Sequence, residues 1–87
     1  MTKISLDSII KAVEQECGDK PEISRKAAIY ISHRYSGRTL REIGERFGVG
    51  ESAVARSSGR FESELKGSRM LKKRIENVHK VLALSKV

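Results

Sequence analysis

The chain has 87 residues, 38% of them hydrophobic and 33% charged, and its formal net charge is +7. This length suits a single domain over residues 1–87, and the composition is not that of a disordered chain. The one cysteine, Cys17, excludes an internal disulfide and suits a reducing compartment. No apolar run of about 18 residues and no signal-peptide pattern occurs, so we expect a cytoplasmic protein with no membrane partner.

The positive charge is concentrated after the first quarter of the chain. Residues 1–24 carry three Lys or Arg and five Asp or Glu. Residues 25–87 carry fifteen Lys or Arg and six Asp or Glu. The first segment therefore has a charge of −2 and the second a charge of +9. Because a basic field attracts polyanions, we expect a nucleic-acid partner and association with the nucleoid.

The first predicted helix runs from Leu6 to Cys17 and ends before Gly18. Its inward stripe is expected to hold Leu6, Ile10, Val13 and Cys17, with Ile9 beside it. Since Cys17 lies on this stripe, it is predicted to be a core thiol. The following "GDKPE" is typical of a turn.

The second predicted helix begins at Ser24 or Arg25 and ends at Ser36, before Gly37. Its inward face is expected to hold Ala27, Ala28, Ile31 and Tyr35, with Ile29 and Tyr30 off that face. Because the apolar arc is wide, this helix is predicted to be the central one of a small bundle.

The third and fourth predicted helices are separated by "GVG", residues 48–50. The third starts at Thr39 in "TLRE", a capping-box pattern in which Thr39 and Glu42 satisfy each other's backbone amides. The fourth runs from near Glu51 to about Leu65. Its core stripe is expected to hold Val54, Ser58, Phe61 and Leu65, and its outer side Ser52, Arg56, Gly59, Arg60 and Ser63.

The fifth predicted helix runs from Arg69 to Leu84 and is capped by Ser68. Its inward stripe is expected to hold Leu71, Ile75, Val78 and Leu82, opposite Lys72, Lys73, Glu76 and Lys80. The whole pattern predicts an all-α fold, a compact bundle of about five helices.

The third and fourth helices, about residues 39–65, have the spacing of a DNA-binding helix-turn-helix. Gly44 stands where a small residue is needed because the second helix crosses close by, and Gly48 stands where the turn needs a positive φ. Val49 and Val54 fill the apolar positions of the turn and the second helix. Where an aliphatic residue is usual, residue 57 is a serine, and Phe61 is expected to supply that packing.

In such a unit the second helix enters the major groove with its first residues at the base edges. Its small side chains would allow a close approach, with Ser52 hydrogen-bonding and Ala53 contacting a thymine methyl. Arg56 could reach a guanine or a phosphate, and Arg60 a phosphate. Glu51 either accepts from a cytosine amino group or only favours the helix dipole.

The amino ends of these two helices are further candidates for binding the DNA backbone, because their amides favour phosphate. One end lies at Thr39, flanked by Arg38 and Arg41, and the other lies at Gly50 and Glu51.

The stretch "RKAAIYISHRYSGRTLREIGERFGVGESAV" resembles the C-terminal DNA-binding domain of DnaA, the bacterial replication initiator. "RYSGRTLREIGERFGVGESAV" is similar to the DnaA-like domain that follows the catalytic domain of REP-associated tyrosine transposases, and nearer to it than to DnaA. The resemblance covers about residues 6–84 and is densest at 25–56. It implies a fold like those of the Trp repressor and the DnaA domain. It also implies sequence-specific binding of double-stranded DNA by part of a transposase-related or initiator-related protein.

By this resemblance, Ser52 and Ala53 take base-reading threonine positions, and Leu40 and Arg41 take a Leu-Pro position that also contacts the site. His33 takes a lysine position near the DNA backbone. The DnaA signature D-H-T-T-V is replaced by "GESAV", and its basic minor-groove loop by "GDKPEIS". The resemblance therefore implies DnaA-like docking on a different target sequence.

No catalytic or metal-binding pattern stands out in the sequence. His33 and His79 are separated by 45 residues, and neither a Cys-x-x-Cys nor a Gly-rich phosphate loop occurs. Tyr30 and Tyr35 are predicted to be core or core-edge residues. We expect no enzymatic activity, no metal and no cofactor. Two alternatives to the transposase or initiator role remain: a small transcriptional regulator of the Trp-repressor type, and a protein-interaction module that docks through the fifth helix.

Overall fold

A computed structural model describes residues 5–82, which form five α-helices joined by short turns. The helices are α1 (Leu6–Cys17), α2 (Pro21–Tyr35), α3 (Leu40–Phe47), α4 (Glu51–Lys66) and α5 (Arg69–Leu82). No strand occurs within this part of the chain. The predicted all-α bundle is therefore confirmed. None of the helices between residues 5 and 82 has the length and apolar character needed to cross a bilayer.

The start of α2 differs from the prediction. The helix begins at Pro21, three residues before Ser24, so the second half of the predicted "GDKPE" turn is helical. Proline suits the first position of a helix because the ring fixes φ and the missing amide would have no partner there. At the other end of the chain, the last two residues of the predicted fifth helix, 83 and 84, lie outside the described residues.

Helix α2 is the centre of the bundle and packs against α1, α3 and α4. Six consecutive residues of α2 are buried: Ala27, Ala28, Ile29, Tyr30, Ile31 and Ser32. Such a run covers all sides of a helix, which confirms the predicted central role of α2. Tyr35 departs from the prediction. It is 36% exposed at the carboxyl end of α2, where its ring lies edge-on to His79 with the centroids 5.1 Å apart.

The buried side of α1 is rotated relative to the predicted stripe. Ile9 and Ala12 are buried together with Val13 and Cys17, whereas Leu6 and Ile10 are only half-buried. Because α1 packs against both α2 and α5, its contact surface is broader than a single stripe and is centred near Ile9 and Val13.

Cys17 is fully buried, as predicted for a core thiol. Burial raises the pKa of the Cys17 thiol, and the nearby Arg74 guanidinium offsets part of this change. Arg74 donates to the Glu16 carbonyl oxygen at 2.7 Å and to Asp19 Oδ1 at 2.9 Å. These bonds tie α5 to the end of α1, and the hydrogen bond from Arg74 lowers the pKa of the Asp19 carboxyl.

The core consists of two apolar clusters. The larger one joins α1, α2, α4 and α5 and includes Phe61, whose ring centroid lies 5.3 Å from that of Tyr30. The smaller one joins α2, α3 and α4 through Ile29, Ile43 and Val54. This smaller cluster holds α3 and α4 against the central helix and so sets the position of the exposed side of α4.

Candidate nucleic-acid interface

Helix α3 begins with the capping box predicted from "TLRE". The Glu42 amide donates to Thr39 Oγ1 at 3.1 Å, and the Thr39 amide donates to Glu42 Oε1 at 3.0 Å. Each side chain therefore satisfies a backbone donor that the first turn of a helix leaves without an internal partner. The prediction is confirmed, and it fixes where α3 starts.

The turn between α3 and α4 depends on two glycines. Gly48 has a φ of 74°, in the left-handed region that glycine adopts at little cost. A Cβ on residue 44 would overlap the Val49 carbonyl oxygen. The predicted need for a small residue at 44 is thus confirmed, but the reason differs, since the turn itself and not the crossing of α4 fills the space. The Val49 amide closes the turn by donating to the Gly44 carbonyl at 2.8 Å.

The inner side of α4 packs as predicted. Val54 and Phe61 are fully buried, and Ser58 is 5% exposed. Ser57, which stands where an aliphatic residue was expected, is half-buried. Phe61 supplies apolar packing to the larger cluster, in agreement with the expectation for this helix.

The outer side of α4 is exposed along most of the helix. The exposed residues of its first three turns are Glu51, Ser52, Ala53, Ala55, Arg56, Gly59 and Arg60. Small side chains near the amino end leave the backbone accessible, and two arginines follow one turn apart. Neither Arg56 nor Arg60 forms an ion pair with any residue between 5 and 82.

The arginines at the start of α3 are paired along their own helix. Arg38 lies 3.8 Å from Glu42, and Arg41 lies 3.6 Å from Glu45, with all four side chains largely exposed. Such surface pairs contribute little to stability and can exchange a partner at low cost. Leu40, between them, is half-buried and packs on the smaller apolar cluster.

The two predicted amino-end anchors differ in how their amides are satisfied. At α3, the amides of Thr39 and Glu42 are occupied by the capping box. At α4, the N-cap is Gly50, which has no side chain to cap the first turn. The amino end of α4 therefore offers more free backbone donors than the amino end of α3.

Lys26 lies beside several of the predicted site residues but was not predicted from the sequence. A cleft of about 170 Å³ between α2 and α4 is lined by Lys26, Ala53, Arg56, Ser57 and Arg60. Lys26 Nζ is 3.9 Å from Glu64 Oε2, a weak and exposed pairing. Helical spacing could have indicated Lys26 as a candidate. It precedes His33 by seven residues, which places the two side chains on one face of α2, two turns apart.

His33 lies on the exposed side of α2 and contacts α4. Its Nδ1 is 2.9 Å from Ser58 Oγ. Several predicted residues thus lie along the boundary between α2 and α4. His33 contacts Ser58 of α4, and the cleft is lined by Ala53, Arg56 and Arg60. Arg38, Thr39 and Arg41 lie at the start of α3 and do not line this cleft.

Within residues 5–82, no group of three or more His, Cys, Asp or Glu side chains is arranged to hold a metal ion. The chain matches no protein-family model, no curated protein and no solved structure in the comparisons made with them. The resemblance to the DnaA domain therefore stays a prediction from the sequence.

Proposed function

We propose that this protein binds double-stranded DNA, with the outer side of α4 in the major groove. The observation that carries the proposal is the exposed side of α4, which combines small side chains at the amino end with Arg56 and Arg60, both free of ion pairs within the described residues. A helix of this kind can approach base edges closely, because no long side chain precedes Arg56 on its outer side except Glu51.

In the proposed complex, Ser52 and Ala53 meet the base edges, and Arg56 reaches a guanine or a phosphate. Arg60 and Lys26 line the cleft beside α4 and neutralise backbone phosphates there. The uncapped first turn of α4 favours a further phosphate through its free amides. Glu51 either accepts from a cytosine amino group or only favours the helix dipole, since its side chain is exposed and lies at the positive end of that dipole.

Contacts from α3 make a smaller contribution in this arrangement. Arg38 and Arg41 can leave their exposed carboxylate partners for phosphate, but they lose an existing ion pair when they do so. The capping box also leaves fewer amides free at Thr39. We therefore expect α3 mainly to hold α4 at its angle and to add long-range attraction.

The first experiment is fluorescence anisotropy of a labelled random-sequence duplex titrated with the protein at about 50 mM and about 200 mM salt. Proteins that neutralise several phosphates bind non-specifically and lose affinity steeply over this range. A steep salt dependence would support the proposal and justify selecting a preferred site from a random library. If the duplex does not bind at the lower salt concentration, the proposal is wrong.

The sequence resemblance suggests the DNA-reading part of a transposase-related or initiator-related protein as the biological setting. A preferred site recovered by selection would distinguish this setting from a regulator of the Trp-repressor type, which is expected to bind as a symmetric dimer on a palindrome. The remaining alternative, a module that docks through the apolar stripe of α5, is disfavoured because Leu71, Ile75 and Val78 are all buried in the core.

A further inference from the structure

A hydrogen bond links a buried serine of α4 to an exposed histidine of α2. His33 Nδ1 and Ser58 Oγ are 2.9 Å apart, Ser58 is 5% exposed, and His33 is exposed. Within residues 5–82, the Ser58 hydroxyl has no other hydrogen-bond partner. Nδ1 of the imidazole is therefore bound to a buried group, while Nε2 lies on the opposite side of the ring.

The direction of this hydrogen bond follows from the burial of Ser58. A buried hydroxyl proton without an acceptor is unfavourable, so the Ser58 hydroxyl donates to Nδ1 of the neutral imidazole. The ring proton then resides on Nε2, the nitrogen away from Ser58. When the imidazole is protonated, Nδ1 donates to Ser58 Oγ instead.

Nε2 thus carries a proton in both states of His33. The surroundings of this donor suit an anion, because His33 shares one face of α2 with Lys26, which lines the cleft with Arg56 and Arg60. An N–H group two turns along the same face of α2 can donate to the polyanion backbone that these cations attract, and the nearby Glu62 carboxylate is already paired with Arg34 at 3.6 Å.

We propose that Ser58 is a positioning residue that holds His33 with its Nε2–H outward, as a hydrogen-bond donor to a DNA phosphate. This inference rests on the proposed DNA binding and adds to it a specific orientation and tautomer. It also assigns a role to Ser58, a polar residue on the inner side of α4. Through Ser58, the helix in the groove holds the α2 side chain that contacts the DNA backbone.

The first test is nitrogen-15 NMR of the imidazole of His33 in the free protein at about pH 8, where histidines are mostly neutral. We expect the Nε2–H form to be nearly exclusive in the parent protein and the share of the Nδ1–H form to rise in Ser58→Ala. A dominant Nδ1–H form in the parent would overturn the inference whether or not DNA binds.

The second test is a double-mutant cycle on duplex affinity with Ser58→Ala, His33→Ala and the double variant, each verified as folded by circular dichroism. Ser58→Ala is expected to weaken binding about threefold to tenfold when His33 is present and to have no effect when His33 is alanine. Ser58→Thr, which keeps the hydroxyl, is expected to restore binding. Ser32→Ala, which removes a fully buried hydroxyl that has no hydrogen-bond partner within the described residues, serves as the matched control.

The outcomes separate this inference from the proposed function. Equal weakening by Ser58→Ala in both backgrounds would mean that Ser58 acts through packing and not through His33. Failure of the parent protein to bind any duplex would refute the proposed function and with it the phosphate contact, while the NMR test would still report the tautomer.

Discussion

The exposed arginines of α3 and α4 differ in whether they form ion pairs. Arg38 and Arg41 pair with carboxylates on α3, and Arg46 reaches Asp7 of α1 at 2.9 Å. On α4, Arg56 and Arg60 have no ion-pair partner within the described residues. The same contrast holds at the amino ends, where α3 is capped by side chains and α4 begins at a bare glycine. The arginines of α3 are thus already paired, whereas Arg56 and Arg60 of α4 have no ion-pair partner within the described residues.

The largest effect on binding is expected from Arg56→Ala combined with Arg60→Ala. Loss of one arginine that reads a base costs about 1–3 kcal/mol, so we expect duplex affinity to fall about tenfold to a hundredfold with little change in the thermal melt. The measurement is anisotropy of a labelled duplex at fixed salt.

The control for that experiment is Lys11→Ala combined with Lys20→Ala, which removes the same charge from exposed residues away from α4. If both pairs weaken binding equally, only net charge matters, and α4 has no special role.

Gly44→Ala tests the turn that sets the angle between the two helices. The added methyl group would overlap the Val49 carbonyl oxygen, so the turn must move. Overpacking of this kind typically costs about 1–3 kcal/mol, and urea unfolding measures it. Gly59→Ala is the matched control, because a Cβ there meets nothing within 4 Å and alanine favours a helix. Equal stability of the two variants would contradict this account of the turn.

Thr39→Ala removes the cap of α3 without changing any charge. Loss of such a cap costs about 1 kcal/mol in the free energy of unfolding. Because α3 is assigned mainly a supporting role, the affinity for duplex should change less than the stability when it is measured well below the melting temperature. A loss of affinity as large as that of the Arg56 and Arg60 double variant would instead place α3 at the centre of the interface.

A smaller effect is expected from Arg38→Ala combined with Arg41→Ala. Exposed pairs along a helix contribute about 0.3–0.5 kcal/mol each, so the melt should change little. The affinity should fall by much less than in the Arg56 and Arg60 double variant, although both variants remove two charges. On the sequence alone, both Arg41 and Arg56 are expected to contact the DNA, and this comparison decides which helix contributes more to the affinity.

The smallest effect is expected at His79 on α5. Burial lowers the pKa of the His79 imidazole, and the nearby Glu76 opposes this only in part. Its Nε2 is buried without a hydrogen-bond partner among the described residues. The unfolded chain binds a proton at His79 more readily than the folded chain does. The free energy of unfolding is therefore at its full value above about pH 6.5, where His79 is neutral in both states, and decreases as the pH falls through the lower folded pKa.

Urea unfolding at about pH 7.5 and about pH 5 would measure this change, since most carboxylates stay ionised over that range. His79→Leu is expected to reduce the difference between the two pH values, and His33→Leu, on the exposed side of α2, provides the comparison. An unchanged pH dependence in His79→Leu would contradict the assignment.

Much of the local structure followed from short-range rules that the sequence alone determines. The capping box at Thr39 and Glu42 and the left-handed turn at Gly48 involve only neighbouring residues, and both were predicted correctly. The start of α2 at Pro21 was missed, although proline at the first helical position is a local preference that could have been applied.

Only the tertiary structure decided which predicted residues meet. Burial of Ile9 in place of Leu6 and Ile10, and exposure of Tyr35, depend on how α1 and α5 pack around α2. Lys26 and Arg56 line the same cleft, and His33 contacts Ser58, although the two residues of each pair are 25 or more positions apart in the chain. Helical periodicity determines the face on which a side chain lies, but the helix opposite that face is determined by packing across the whole bundle.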